Sequence, residues 1–248
     1  HVANSGHTDG GAIELFGVTG FEMTEGSIKG NEIGLKIFKS DFEPPFRPNG
    51  KVNFKDVTFE DNNVHVTADD PELLLDVPNT LNENSFDKSV VVRTGDDSPE
   101  PEDYTETIWS VIQDGVDNAA SGNTVEVGAG NFEEVLSIDK GLSLIGAGRD
   151  DNGTVIEARA DGFTTGTAVD INSDDGAVSI TNLQINHFTD EGRTINALGE
   201  HNIKIKNTRI NRLDYSESKP VQTDFAAIRI DGKEADIIDN IISGGPIG

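Results

Sequence analysis

Asn202-Ile203-Lys204-Ile205-Lys206-Asn207-Thr208-Arg209-Ile210-Asn211 is the stretch whose reading decides the fold. Isoleucines alternate with lysines, so the period of two sends aliphatic side chains to one face and ammonium groups to the other. Asn207 then stands between two such runs. An asparagine there tolerates left-handed backbone and bonds locally, so the chain can turn sharply without a glycine. The phrase recurs in Val178-Ser179-Ile180-Thr181-Asn182-Leu183-Gln184-Ile185-Asn186 and in Ala235-Asp236-Ile237-Ile238-Asp239-Asn240-Ile241-Ile242. Asn182 to Asn207 is 25 residues and Asn207 to Asn240 is 33, the added length falling in polar 214–224. Steps of this size predict stacked coils, in which the amide of one asparagine can pair with its equivalent in the next.

Working outward, the same phrase fills the first half. Val52-Asn53-Phe54-Lys55-Asp56-Val57-Thr58-Phe59 leads into Asn62-Asn63-Val64-His65-Val66, and Leu81 through Val92 reads as another coil, with looser copies at 12–15 and 33–38. Between the halves, Gly95-Asp96-Asp97-Ser98-Pro99-Glu100-Pro101-Glu102-Asp103 is acidic, proline-containing and aperiodic, which is linker character. After it, Thr107 can cap a helix that places Ile108, Ile112, Val116 and Ala119 on one face, with Gly122 ending it. The expectation is therefore an all-β chain, a parallel β-helix or solenoid, with a short capping α-helix at about 107–120. Its parts are terminal coils over 1–93, a linker over 94–106, and the capped start of further coils over 107–248.

Thr107-Ile108-Trp109-Ser110-Val111-Ile112-Gln113 followed by Gly122 to Ile138, then Gly141-Leu142-Ser143-Leu144-Ile145-Gly146-Ala147-Gly148 and Thr154-Val155-Ile156, resembles the opening cassette of secreted right-handed parallel β-helix proteins of the pectate-lyase and pectin-methylesterase-like group. The resemblance covers about 50 residues in a specific order, and the asparagine-centred coils extend it. It implies a right-handed coil, secretion, and an amphipathic lid over the raw sheet edge, which would otherwise pair with other chains. It also implies acidic polysaccharide as a substrate class, worked on by carboxylates, an arginine and in some relatives Ca²⁺. The family's catalytic signatures are missing, namely Gly-x-Val-Asp-Phe-Ile-Phe-Gly, Trp-Ile-Asp-His and Arg-x-Pro-x-x-Arg. No catalytic residue transfers, and the chain reads as a non-catalytic repeat member.

Composition bounds the partners. With 45 Asp and Glu against 19 Lys and Arg, the formal charge of −26 is the opposite of the positive footprint that nucleic acid or anionic lipid requires. The chain has no Cys, which removes disulfides and thiolate chemistry. No apolar run approaches the ~20 residues that span a bilayer. The chain begins at His1 without a signal-peptide core, which reads as a mature product or an excised piece.

For chemistry, His187, Asp190 and Arg193 share one loop, with Asp170 a further candidate; together they offer a base, a metal ligand and an anion clamp. A solvated loop is the plain alternative in so acidic a chain. Calcium is the one cofactor for which the sequence supplies oxygen ligands, at Asp150-Asp151-Asn152, Asp174-Asp175 and Asp69-Asp70-Glu72, though no full EF-hand or β-roll motif is present. His1, His7 and Asp9 could hold a transition metal at a terminus. Gly146-Ala147-Gly148-Arg149 is half a dinucleotide fingerprint and reads better as turn glycines.

Three functional classes follow. The first is an extracellular structural module, an acidic rod whose partners are copies of itself or adjacent repeats of a longer chain. The second is a polysaccharide lyase or hydrolase. The third is a calcium-dependent carbohydrate-binding module. The strand pattern runs on through Ile241-Ile242 without a cap, and both accounts of this, a piece of a tandem array or a subunit completed by its neighbour, stay open.

Overall fold

The computed structural model describes residues 2–3, 11–18, 20–38, 52–69, 77–94, 103–105, 107–159, 166–173, 176–189, 192–213 and 226–244. Strands in mostly parallel sheets dominate, with two helices among the described residues, an arrangement compatible with a β-solenoid. The chain forms two compact units, His1–Val111 and Ile112–Gly248.

The first unit contains β1 (Val2–Ala3), β2 (Gly11–Leu15), β3 (Phe21–Lys29), β4 (Ile33–Ile37), β5 (Val52–Glu60), β6 (Val64–Ala68), α1 (Val77–Glu83), β7 (Ser85–Phe86), β8 (Val90–Arg93) and β9 (Thr107–Trp109). One parallel sheet runs β1-β3-β5-β7, and in a second β2-β4-β6 are parallel. The nine-residue strands β3 and β5 bend at Glu25 (φ 60°) and Asp56 (φ 55°), left-handed residues that stand at the same register. Inward side chains stack like on like. Ile28 lies over Phe59 and Phe59 over Phe86, with the two rings stacked at 4.9 Å, while Leu35 lies over Val66.

Two readings of this region are corrected. Residues 107–109 are not the first turn of a helix. They form β9, antiparallel to both β6 and β8, so the sequence's apolar Ile108 is buried as a strand residue. Leu81–Glu83, read as a coil strand, belongs to α1, and the strand begins only at Ser85.

The second unit opens with α2 (Ile112–Asn118) and then coils in threes: β10 (Thr124–Val127), β11 (Gly130–Phe132), β12 (Leu136–Ile138); β13 (Leu142–Gly146), β14 (Thr154–Arg159), β15 (Val169–Ile171); β16 (Val178–Thr181), β17 (Gln184–Phe188), β18 (Ile195–Leu198); β19 (Asn202–Lys206), β20 (Arg209–Leu213), β21 (Ile228–Asp231); and finally β22 (Glu234–Ile238) and β23 (Ile241–Ser243). Within the unit they make three wholly parallel sheets, β10-β13-β16-β19-β22, β11-β14-β17-β20-β23 and β12-β15-β18-β21. Each sheet contributes an aliphatic column to the core: Val125–Leu144–Ile180–Ile205–Ile237, Phe132–Ile156–Ile185–Ile210–Ile242 and Leu136–Val169–Ile195–Ile228. Loops of unequal length leave the columns undisturbed because they emerge between strands.

α2 covers the first coil and is shorter than the 107–120 read from sequence, because residues 107–109 are drawn into a sheet. Ile112 and Val116 are buried from it, with Ala119 just beyond its end. The Glu134 carboxylate accepts from the Ile112 and Gln113 amides at 2.8 and 3.0 Å, satisfying orphan N–H groups at the positive end of the helix. The Gln113 side chain accepts from the Ser137 amide and donates to the Ser137 carbonyl. It thereby pairs with β12, the outermost strand of its sheet, as another strand would.

Asparagines hold the corners. Asn207 donates to Asn182 Oδ1 at 2.7 Å, and both are left-handed. Register places Asp239, not Asn240, over Asn207, so the sequence repeat slips by one residue at this coil. Asn240 has another task. Its Nδ2 donates to Ile205 O at 2.7 Å and its Oδ1 accepts from Thr208 N at 2.8 Å, bracketing left-handed Asn207 in the coil below. Asn62 brackets Gly30 in the same way, through Ile28 O and Asn31 N, and Asn84 brackets Asp56 through Phe54 O and Val57 N. A clamp of this kind satisfies one carbonyl and one amide that the corner takes out of the sheet ladder.

Asn62 is 1% exposed, so Asn62→Ala leaves two buried backbone groups unpaired. The expected loss is about 2–4 kcal/mol in denaturant unfolding of the first unit. Exposed Asn152→Ala is the control and stays within about 0.5 kcal/mol of wild type. Equal effects of the two changes would refute the clamp.

Candidate functional site

The sequence put His187, Asp190 and Arg193 on one loop; the first of them is a strand residue. His187 lies on β17 and points inward, 4% exposed, with Nδ1 3.3 Å from Thr194 Oγ1. Its rung neighbours are Ala158 below and Arg212 above. Arg193 is half-buried, Asp190 lies outside the described residues, and Asp170 accepts from Asn196 Nδ2 at 2.8 Å on β15. Burial, and then the positive charge of Arg212, pull the His187 pKa down to about 4. Arg212, which the sequence reading missed, donates to Gly192 O at 3.1 Å and is 8% exposed. The alternation that buries Ile185 and Ile210 also buries positions 187 and 212, and that was the available signal.

Of the calcium candidates, Asp69, Asp150 and Asp151 fall among the described residues. Asp150 and Asp151 are exposed. Asp150 Oδ1 accepts from the Asn152 amide at 3.1 Å, and Asp151 Oδ1 lies 3.4 Å from Gln184 Nε2. Asp174 and Asp175 lie outside the described residues, as do Asp70, Glu72, His1, His7 and Asp9, while Asp69 is exposed. Among the described residues no three His, Asp or Glu side chains are grouped so as to hold a metal ion. Gly146, read as a turn glycine, is instead the last residue of β13. A Cβ there would come within 2.6 Å of Asn182 O, and this close approach, not phosphate binding, accounts for the residue.

The sequence reading also missed a polar centre in the first unit. His65 is fully buried beside the stacked Phe59 and Phe86, in edge-on contact with both rings. Its Nδ1 is 3.3 Å from Asn62 Nδ2, and its Nε2 is 3.3 Å from Asp87 Oδ1. That last contact is close enough for charge attraction, but its angle is not that of a hydrogen bond. Burial pushes the Asp87 carboxyl up, yet the His65 imidazole and the amides of Asp61 and Lys88 outweigh it, so the group is held below its usual range. Asn31, Asn62, His65 and Asp87 thus form one linked polar network.

An open recess of about 410 Å³ on the second unit is lined by Gly199, Glu200, Asp231, Gly232 and Lys233, with Lys233 and Glu200 paired at 3.5 Å. The outward face of β14, β17 and β20 carries a second polar array. Gln184 and Asn211 both donate to Asn186 Oδ1, at 3.1 and 2.9 Å, and Arg159 lies 4.0 Å over the Phe188 ring. No helix among the described residues is long and apolar enough to cross a membrane. No protein-family model matches the chain, and no curated protein or solved structure matches it either.

The buried His187 generates a pH prediction. Its folded pKa lies below the unfolded value of 6.5, so as pH falls from 6.5 towards 4 the unfolded chain takes up a proton that the folded chain refuses. Stability of the second unit is expected to fall by on the order of 3 kcal/mol across that window. His187→Gln should flatten the slope in denaturant titrations at pH 7 and pH 4, and an unchanged slope would disprove the assignment. Asp87 acts in the other unit and lower on the scale. Its contribution is present above the unfolded carboxylate value and lost as pH falls through the depressed folded value.

Proposed function

We propose that the chain is a right-handed parallel β-helix serving as an extracellular structural module, an acidic rod extended end to end in a cell-surface, matrix or filament assembly. One observation carries this reading. Ile205 and Ile210 are fully buried, whereas Ile237 and Ile242, one rung further in the same columns, are 44% and 51% exposed. Among the described residues β21, β22 and β23 are also the outermost strands of their sheets, so their open edges and these isoleucines face the same way. Such a surface accepts another coil by strand addition and burial of the next aliphatic row. Right-handedness is supported by the strong preference for right-handed crossovers between parallel strands of one sheet. Extracellular placement is supported by the resemblance of 107–157 to the opening cassette of secreted β-helix proteins.

The net charge of −26 opposes contact between copies, and added salt screens it. The expected behaviour is concentration-dependent association that strengthens with ionic strength, measured by sedimentation velocity. Ile237→Ser with Ile242→Ser removes two side chains, each contributing about 1.5–3 kcal/mol when buried, and should weaken association by at least about tenfold. A wild-type protein that stays monomeric at every concentration and salt level would sink the reading.

A further inference from the structure

Among 21 asparagines, one begins an Asn-x-Ser/Thr acceptor sequence, Asn152-Gly153-Thr154. It falls on the loop between β13 and β14. Asn152 is exposed at the tip, and its side-chain amide has no partner among the described residues, unlike the clamping asparagines at 62, 84 and 240. The tip is held by its own turn, with Asn152 N donating to Asp150 Oδ1 and Gly153 N to Asp150 O. The neck is shut by Thr154 N donating to Gly148 O at 3.0 Å, and a Cβ on Gly153 would come within 2.3 Å of that same carbonyl oxygen. Glycine is therefore required at the middle of the sequon for the loop to close.

We propose that Asn152 is an N-glycosylation site, modified before this corner folds; the inference rests on the extracellular reading. Exposure supplies room for a bulky glycan at the tip. The timing comes from Thr154. Its side chain is fully buried, with Oγ1 donating at 2.8–3.0 Å to the Gly128 and Val127 carbonyls and accepting from Ala147 N at 2.8 Å. The transferring enzyme reads that hydroxyl together with the asparagine amide, so it must act on the open chain. In the reaction Asn152 Nδ2 attacks C1 of a lipid-linked glycosyl pyrophosphate. The new N–C bond forms as the C1–O bond breaks, the lipid pyrophosphate leaves with the electron pair, and one Nδ2 proton passes to an enzyme base. A glycan there keeps the corner between β13 and β14 in water, which confines contacts between copies to the coil ends.

The test is secretion of the full chain through a glycosylating eukaryotic host, followed by peptide mass mapping. The peptide containing Asn152 should carry glycan in the wild type and in Thr154→Ser, and none in Asn152→Gln or Thr154→Ala. Transferase added to the purified folded protein should leave it unmodified, while a synthetic 147–158 peptide is accepted. A secreted, folded wild-type chain with bare Asn152 overturns the site, and modification of the folded protein overturns the timing. Export is imposed by the host, so these results bear on Asn152 alone. Fractionation of native cells that finds the protein inside would instead overturn the extracellular reading.

Discussion

Parallel, in-register pairing is the constraint on which everything else in these units depends. A parallel ladder brings each residue beside its equivalent one coil away, and side chains on a strand alternate between faces. An inward position must therefore be apolar in every coil or in none. The column Val125–Leu144–Ile180–Ile205 obeys this with four fully buried members. The column Ala158–His187–Arg212 departs from it, and there the core accommodates an imidazole whose charge it suppresses beside a guanidinium bonded to a carbonyl. A stack of this kind has no central core to average over errors, so each rung depends on its two neighbours.

Corners are the second requirement. A strand that turns out of its sheet strands a carbonyl and an amide, and burial makes that costly. Three asparagines one coil above a left-handed residue solve the problem in the same way, at Gly30, Asp56 and Asn207. In both units the corner is held by the next coil up, so the turn and the stack are mutually dependent. Edges follow the same logic. The Gln113 side chain occupies the outer edge of β12 by imitating a strand, whereas β22 and β23 carry their apolar row uncovered.

Much of this was legible from residue order because period-two alternation and asparagine corners are local signals. The pairing of Asn182 with Asn207 and the aliphatic columns followed from them, whereas the helix read at 107–120 from helical spacing is Ile112–Asn118. Slips came where tertiary pairing overrode local pattern. Ile108 suits one face of a helix with Ile112 and Val116 equally well, but antiparallel neighbours on both sides made 107–109 a strand. Leu81 lies in an apolar phrase, yet the chain there closes a helical turn and leaves Asn84 to clamp Asp56. His187, read as a loop residue, became a strand residue for a related reason. Adjacency in sequence on a β-strand places alternate residues on opposite faces, so a histidine beside acidic loop residues was turned into the core.

What the sequence determined by itself was the repeating unit, which residues face inward and where the chain turns, together with the strongly acidic balance of the chain. These are properties of single strands and of composition, requiring no knowledge of neighbours. Only the tertiary structure decided the register between coils, such as Asp239 and not Asn240 above Asn207, the partners of buried His65 and His187, and which isoleucines remain uncovered. Each depends on which strand lies above which. Loops of unequal length carry no local energetic signal for that choice, whereas the stacked columns and corner clamps do once they are formed.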